Sequence, residues 1–195
     1  MCIILSMTKW ELLIRARSGA VAGIVGGMAL ASSFMGIDAN VGVPSGTFYK
    51  MIGVVTGLQG MDAIVFGFLA HMATAALIGA VFFVCSTFHP VLNITSFQKG
   101  VFAGGVTGLE VFAIFFMPIH LLVMMPSIDQ ILLNADQFGL DIEEAKAITM
   151  LLSKSDSVLW AALSLHLLYG VVMGYFSGIM LPQEYKELKA KRDHL

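Results

Sequence analysis

Three residues in this sequence could do chemistry and stand where chemistry is costly: Glu110, His71 and His166. Each sits in an otherwise apolar run, "GLEVFAIFF", "LAHMATAALIGA" and "SLHLLYGVVMGY". A carboxylate and two imidazoles can form an interhelical hydrogen bond or ion pair, relay a proton, or ligate a borderline-soft metal such as Zn, Cu or Fe. All three readings stay open on the residue types. Metal spacing of the His-x-x-His or Glu-x-x-His kind is absent, so a metal site would rest on proximity in the fold. A further polar couple, Asp38 and His120, is expected nearer the outer surface as a wet, structural pair. His89, beside Pro90, and His194 carry no such signal.

The runs that hold these residues are read as membrane spans. Of the 195 residues 57% are hydrophobic and only 12% charged, about half the charge of a soluble domain. With a mean hydropathy of +0.85, the solvent implied is a bilayer. Four windows reach spanning length, near Ser18–Gly36, Ala63–Cys85, Gly100–Met125 and Val158–Leu181. At 1.5 Å per residue, Glu110 lies ~16 Å into the third span, and the histidines roughly 12–14 Å into theirs from the opposite side. All three could meet at one level. An ionisable group at that depth is expected to face inward and find a partner.

Basic residues set the orientation. The ends and the loop after the second span hold Lys9, Arg15, Arg17, Lys99, Lys186, Lys189, Lys191 and Arg192; the other two loops hold only Lys50, Lys146 and Lys154. The positive-inside rule then places both termini in the cytoplasm of a multi-pass plasma-membrane protein. The N-terminal apolar run precedes its basic residues and has no cleavage site, so it does not read as a signal peptide. Met7 serves as a start as well as Met1, leaving a short interfacial helix with Trp10 at headgroup level. Cys2 and Cys85 face the cytoplasm and are expected to be reduced, and the sequon at Asn93–Thr95 to stay bare.

The chain repeats itself. "GAVAGIVGGMALA" from Gly19 aligns with "GVFAGGVTGLEVF" from Gly100, then "FMGID" with "FMPIH", and Pro44–Ser45 with Pro126–Ser127. In the other spans His71 matches His166, Ala75 matches Gly170, and Gly79 matches Gly174. The fold class expected is all-α, a four-helix membrane bundle built from two tandem two-helix repeats, about 18–85 and 99–181. The copies share one orientation about a pseudo-twofold along the membrane normal. A cytoplasmic or interfacial segment, 1–17, would precede the membrane domain 18–181, and a solvated, helical cytoplasmic tail, 182–195, would follow it. The stripes Gly100/Gly104/Gly108 and Gly170/Gly174/Gly178 read as tight helix packing rather than a pore.

Outer connections carry short helices. Val43–Leu58 reads as an interfacial or re-entrant helix anchored by Phe48 and Tyr49. Ser127–Leu140 reads as a second short helix. "DIEEAKAITMLLSKS" reads as a third, capped by Asp141 with Glu144 completing a capping box.

The glycine-rich span followed by a span of the form His-x3-Gly/Ala-x3-Gly resembles a group of uncharacterised four-span membrane proteins typified by the YagU-like family. "GTFYKMIG" and the overall make-up are similar to accessory helical subunits of archaeal ammonia monooxygenase. Neither resemblance assigns a role to any residue. No enzyme signature or nucleic-acid surface is present, and no cofactor is required by the sequence. The function expected is a non-catalytic accessory subunit of a larger membrane complex. Its partners would be the bilayer with other membrane subunits or copies of itself, helped by thirteen adaptable methionines. The alternative is a small homo-oligomeric channel, or a proton- or metal-coupled transporter, using the Glu/His cluster. On the expected topology, an impermeant thiol reagent applied to intact cells labels neither cysteine; strong external labelling of Cys85 would exchange the two faces.

Overall fold

A computed structural model of the chain describes residues 9–88, 92–135 and 140–193, with side chains to residue 183. Cys2, Met7, His89 and His194 lie outside the described residues. Every regular element among them is helical. We label these elements α1 (Lys9–Val41), α2 (Thr47–Val55), α3 (Gly60–Cys85), α4 (Phe97–Leu133), α5 (Ile142–Ser153) and α6 (Ser155–Asp193). Four of them, α1, α3, α4 and α6, are long and apolar enough to cross a membrane.

Two boundaries differ from the sequence reading. First, α1 is continuous across residues 17 and 18, and Arg15, counted among the solvated basic residues, is only 2% exposed. Second, the short helix expected from Ser127 begins at Met125, ends at Leu133 and continues the preceding helix as the last part of α4. The two prolines of α4 are accommodated by a change of register. Two π-helical stretches, Phe112–Phe116 and His120–Met124, each end two residues before a proline, Pro118 and Pro126. Proline lacks the amide that an α-helix needs, and a π turn, bonding five residues back, passes over the missing donor. The tail from Pro182, expected to be helical, is helical to Asp193 as the continuation of α6.

The chain divides into two compact units. The first comprises Met1–Ala29, Ala73–Leu109 and Leu167–Leu195. It is held by backbone contact at small residues. A Cβ on Gly19 would strike the carbonyl of Gly79, and one on Gly23 the carbonyl of Ala75, joining α1 to α3. A Cβ on Gly100 would strike the carbonyl of Gly174, and one on Gly104 that of Gly170, joining α4 to α6. Helices that approach this closely gain van der Waals contact along their whole backbones, the form of association that remains when water is absent. Tyr169, 3% exposed, reaches from α6 to donate its hydroxyl proton to the Ala75 carbonyl at 2.9 Å.

The second unit comprises Leu30–Met72 and Glu110–His166. Here α1 ends at Gly42, whose φ of 86° lets the following Val43 amide return to the Asp38 carbonyl at 3.0 Å. Short helix α2 then packs on α3 at Gly53, against Ala63, and through the Tyr49 carbonyl against Gly67. It also contacts the end of α4 and α5. The capping box expected at α5 is present: Asp141 accepts the Glu144 amide at 2.7 Å, and Glu144 accepts the Asp141 amide at 3.4 Å.

Glycine contact with backbone, unlike contact with a side-chain tip, cannot relax cheaply. We expect Gly104→Val and Gly170→Val each to cost about 1–3 kcal/mol. Gly105→Ala, whose Cβ would meet only the ends of Leu167 and Val171 at 3.5 and 3.6 Å, should change stability by less than about 0.5 kcal/mol. Unfolding in mixed micelles measures both, and equal losses at Gly104 and Gly105 would contradict the packing described.

Candidate functional site

The polar side chains that the sequence singled out collect in the second unit, but not as the expected cluster. Glu110 is exposed. Its direction follows from helix geometry: it lies two residues past Gly108, about 200° around from the stripe that packs against α6. The expectation that it turns inward to meet His71 and His166 is therefore corrected. Among the described residues, no three His, Cys, Asp or Glu side chains gather in a way that could hold a metal ion. The candidate ligand set His71, Glu110 and His166 does not form.

The histidines do turn inward. Each stands four residues before a small residue of its own packing stripe, His71 before Ala75 and His166 before Gly170, and so shares that buried face. His166 is 7% exposed and holds its Nδ1 2.7 Å from the Ala162 carbonyl. A carbonyl only accepts, so Nδ1 carries the proton and Nε2 of the neutral ring is left as an acceptor. Phe112 and Phe116 enclose the ring at centroid distances of 5.7 and 5.0 Å. The His71 ring stands edge-on to Tyr49 at 5.6 Å.

Tyr49 is the residue that sequence reasoning placed wrongly. With Phe48 it was expected to anchor α2 at a membrane interface; the two are 1% and 5% exposed. Phe48 stacks on Phe34 at 4.0 Å and Tyr49 sits among Phe34, Phe48, Phe68 and His71. Burial raises the Tyr49 phenol's pKa, and the charge of Asp38 adds to the effect, so the hydroxyl keeps its proton across the ordinary pH range. The available signal was a polar-tipped aromatic in a connection too apolar to be a loop.

Asp38 and His120 are not joined. Asp38, 1% exposed, accepts the Gly46 amide at 2.8 Å through Oδ2, with the Thr47 and Phe48 amides also turned toward it. Its carboxylate thus serves the N-terminus of α2, where free amides and the helix dipole favour negative charge. His120, 4% exposed, instead stacks on Phe116 at 5.3 Å. The expected outer pair fails because α2 claims the carboxylate first.

Among the described residues of this unit, four buried side-chain atoms have no protein hydrogen-bond partner: Asp38 Oδ1, Tyr49 Oη, His71 Nε2 and His120 Nδ1. Each such atom costs about 1–3 kcal/mol if left unsatisfied, so four in one unit mark a polar interior rather than a dry core. Elsewhere in this unit a cavity of about 260 Å³ lies between the 42–50 segment and α5, crossed by the Lys50–Glu144 ion pair. A second tether, Lys154 to the Val41 carbonyl at 3.3 Å, closes the same junction.

No family model, no curated protein and no solved structure matches the chain. The site therefore stands on its own geometry. Removing the Asp38 acceptor should leave the buried Gly46 amide orphaned. We expect Asp38→Ala to destabilise by about 1–3 kcal/mol and Asp38→Asn, which keeps an acceptor, by less. Thermal unfolding with hydrogen exchange at the 46–48 amides reads both effects.

Proposed function

We propose that the chain is a multi-pass membrane protein with both termini cytoplasmic, working as a non-catalytic accessory subunit of a larger membrane complex. The observation that carries this reading is the exposure of Glu110. It lies about 20 Å along α4 from Phe97 at 1.5 Å per residue. The helix around it exposes Phe102, Val106, Leu109 and Ile114, residues at home in hydrocarbon. A lone carboxylate there would cost about 2.5–3.5 kcal/mol even by the milder insertion scales. A neighbouring transmembrane helix offering a donor or cation at the same depth removes that cost. The resemblance to accessory subunits of archaeal ammonia monooxygenase agrees with such a role, and the YagU-like resemblance with the four-span plan.

The tandem-repeat origin belongs to the same proposal. It is supported by matching contacts: Gly19 on Gly79 corresponds to Gly100 on Gly174, and Gly23 on Ala75 to Gly104 on Gly170. A two-helix unit that already packs through its glycines needs only duplication to make four spans. The short helices α2 and α5 would then sit at the outer interface and dock neighbours. The alternative of a homo-oligomeric channel or a proton- or metal-coupled transporter loses the carboxylate of its Glu/His cluster, since Glu110 lies on the other face.

Native mass spectrometry after mild-detergent purification tests the assembly. We expect heterologous partners with the wild type, retained in Glu110→Gln and lost in Glu110→Leu, while the thermal stability of the isolated chain is unchanged in both. A wild type that runs alone, or a Leu variant that assembles normally, overturns the subunit reading; a homo-oligomer moves the choice to the channel.

A further inference from the structure

Protein interiors close up until few voids larger than a water molecule remain, and much of the second unit obeys that rule. Helix α2 lies so close to α3 that a Cβ on Gly53 would strike Ala63, and one on Gly67 the Tyr49 carbonyl. One exception is the cavity of about 260 Å³ between the 42–50 segment and α5. Its floor is apolar, made by Val43, Ile64, Ala147 and Ile148, with the Met150 methyl standing against Gly42. Its rim is exposed at Ser45, Glu143 and Lys146. Lys50 and Glu144 reach across it and pair, their side chains only 13% and 20% exposed. Two long side chains meeting head to head hold α5 off the segment they bridge, so the pair and the space belong together.

The charges decide what this space can take. Glu144 is fixed in place, because its other oxygen accepts the Asp141 amide in the capping box. Lys50 is the movable partner, an ammonium on a flexible four-carbon stem. Asp141 Oδ1 is committed to the Glu144 amide, and Glu143 and Lys146 at the rim are of opposite sign. A simple anion drawn to Lys50 would strip Glu144 of its cation, and a simple cation drawn to Glu144 would do the same to Lys50. Either leaves a largely buried charge without its compensation. A metal ion finds no three ligating side chains gathered for it among the described residues. A molecule that carries both charges can enter between the two and leave neither unpaired.

We propose that this cavity binds a small zwitterion with an apolar body, the chemistry of an aliphatic α-amino acid. The ligand's ammonium takes the place of Lys50 Nζ at Glu144 Oε1, while Lys50 swings out to the ligand's carboxylate. The direct pair becomes a row of four charges of alternating sign, joined by charge-assisted hydrogen bonds. The aliphatic part lies on Ile64, Ala147 and Ile148 and removes their apolar surface from water. The volume is just below the roughly 300–1,000 Å³ of pockets that take drug-sized molecules, which suits a ligand of amino-acid size. An ammonium beside an oxyanion also occurs in the headgroup of phosphatidylethanolamine, the lipid source of the same chemistry.

The test uses the full-length chain in maltoside micelles with ¹³C-methyl methionine, reading the Met150 methyl, which is assigned by its loss in Met150→Leu. L-leucine is the probe and should shift that signal saturably. It should bind at least about tenfold more tightly than 4-methylpentanoate or isopentylamine, its two singly charged halves, the scale of one hydrogen bond to a charged group. Lys50→Gln should erase the advantage over the amine. Glu144→Gln, which keeps the capping box, should erase the advantage over the acid. Ala147→Leu keeps both charges and fills the floor, and should abolish binding; an unchanged amide spectrum shows that each variant is folded. A second arm adds phosphatidylethanolamine or phosphatidylglycerol to the micelles. A saturable shift with the former alone, and none with leucine, upholds the zwitterion and names the lipid as its source. No shift with leucine or with either lipid, equal binding of leucine and one of its halves, or leucine binding untouched by both Gln variants overturns the proposal. The measurement needs no partner protein, so its outcome is separate from that of the subunit reading.

Discussion

Close contact between helix backbones at small residues is the constraint from which the other features follow. Once Gly19 and Gly23 lie against Gly79 and Ala75, and Gly100 and Gly104 against Gly174 and Gly170, the roll of each helix about its axis is set. Every other side chain then points where 100° per residue sends it. His71 and His166, one turn before a small residue of the stripe, are carried to the buried side. Glu110, two residues past Gly108, is carried to the exposed side. The same contact therefore builds the polar interior and leaves a carboxylate outside.

The two units use their polar residues differently. In the first, Tyr169 donates to a helix carbonyl and Ser177 to the Gly174 carbonyl at 2.8 Å, so polar groups serve the packing. In the second, the backbone is interrupted by α2, and helix ends appear that need partners. Asp38 meets that need at α2, and Asp141 with Glu144 at α5. These tasks consume specific atoms and leave others over, and the leftover atoms are the ones with chemical potential. The π stretches of α4 belong to this unit too, and they hold Phe112 and Phe116 against the His166 ring, with His120 stacked on Phe116.

Much of this was legible in the residues. The four helices long and apolar enough to cross a membrane follow from runs of about 20 apolar residues, the length a helix needs to span hydrocarbon. The stripes at four-residue spacing announced helix contacts, since small residues on one face have no other packing use. The α5 capping box was readable because its two partners are three residues apart and need nothing beyond the local turn.

What escaped the sequence depends on atoms far apart in the chain or on register. The apolar window ended at Met125, yet the helix continues through a π turn to Leu133. Tyr49 looked amphipathic, and only the rings of Phe34 and His71, distant in sequence, make it a buried group. Depth along a helix placed Glu110, His71 and His166 at one level, which rise per residue can do. Direction around the helix was decided by which face finds a neighbour. The sequence by itself determined which segments are helices that could cross a membrane and which of their faces could come close. Only the tertiary structure decided which polar atoms those faces enclose, because a hydrogen-bond partner is a matter of three-dimensional contact and not of spacing.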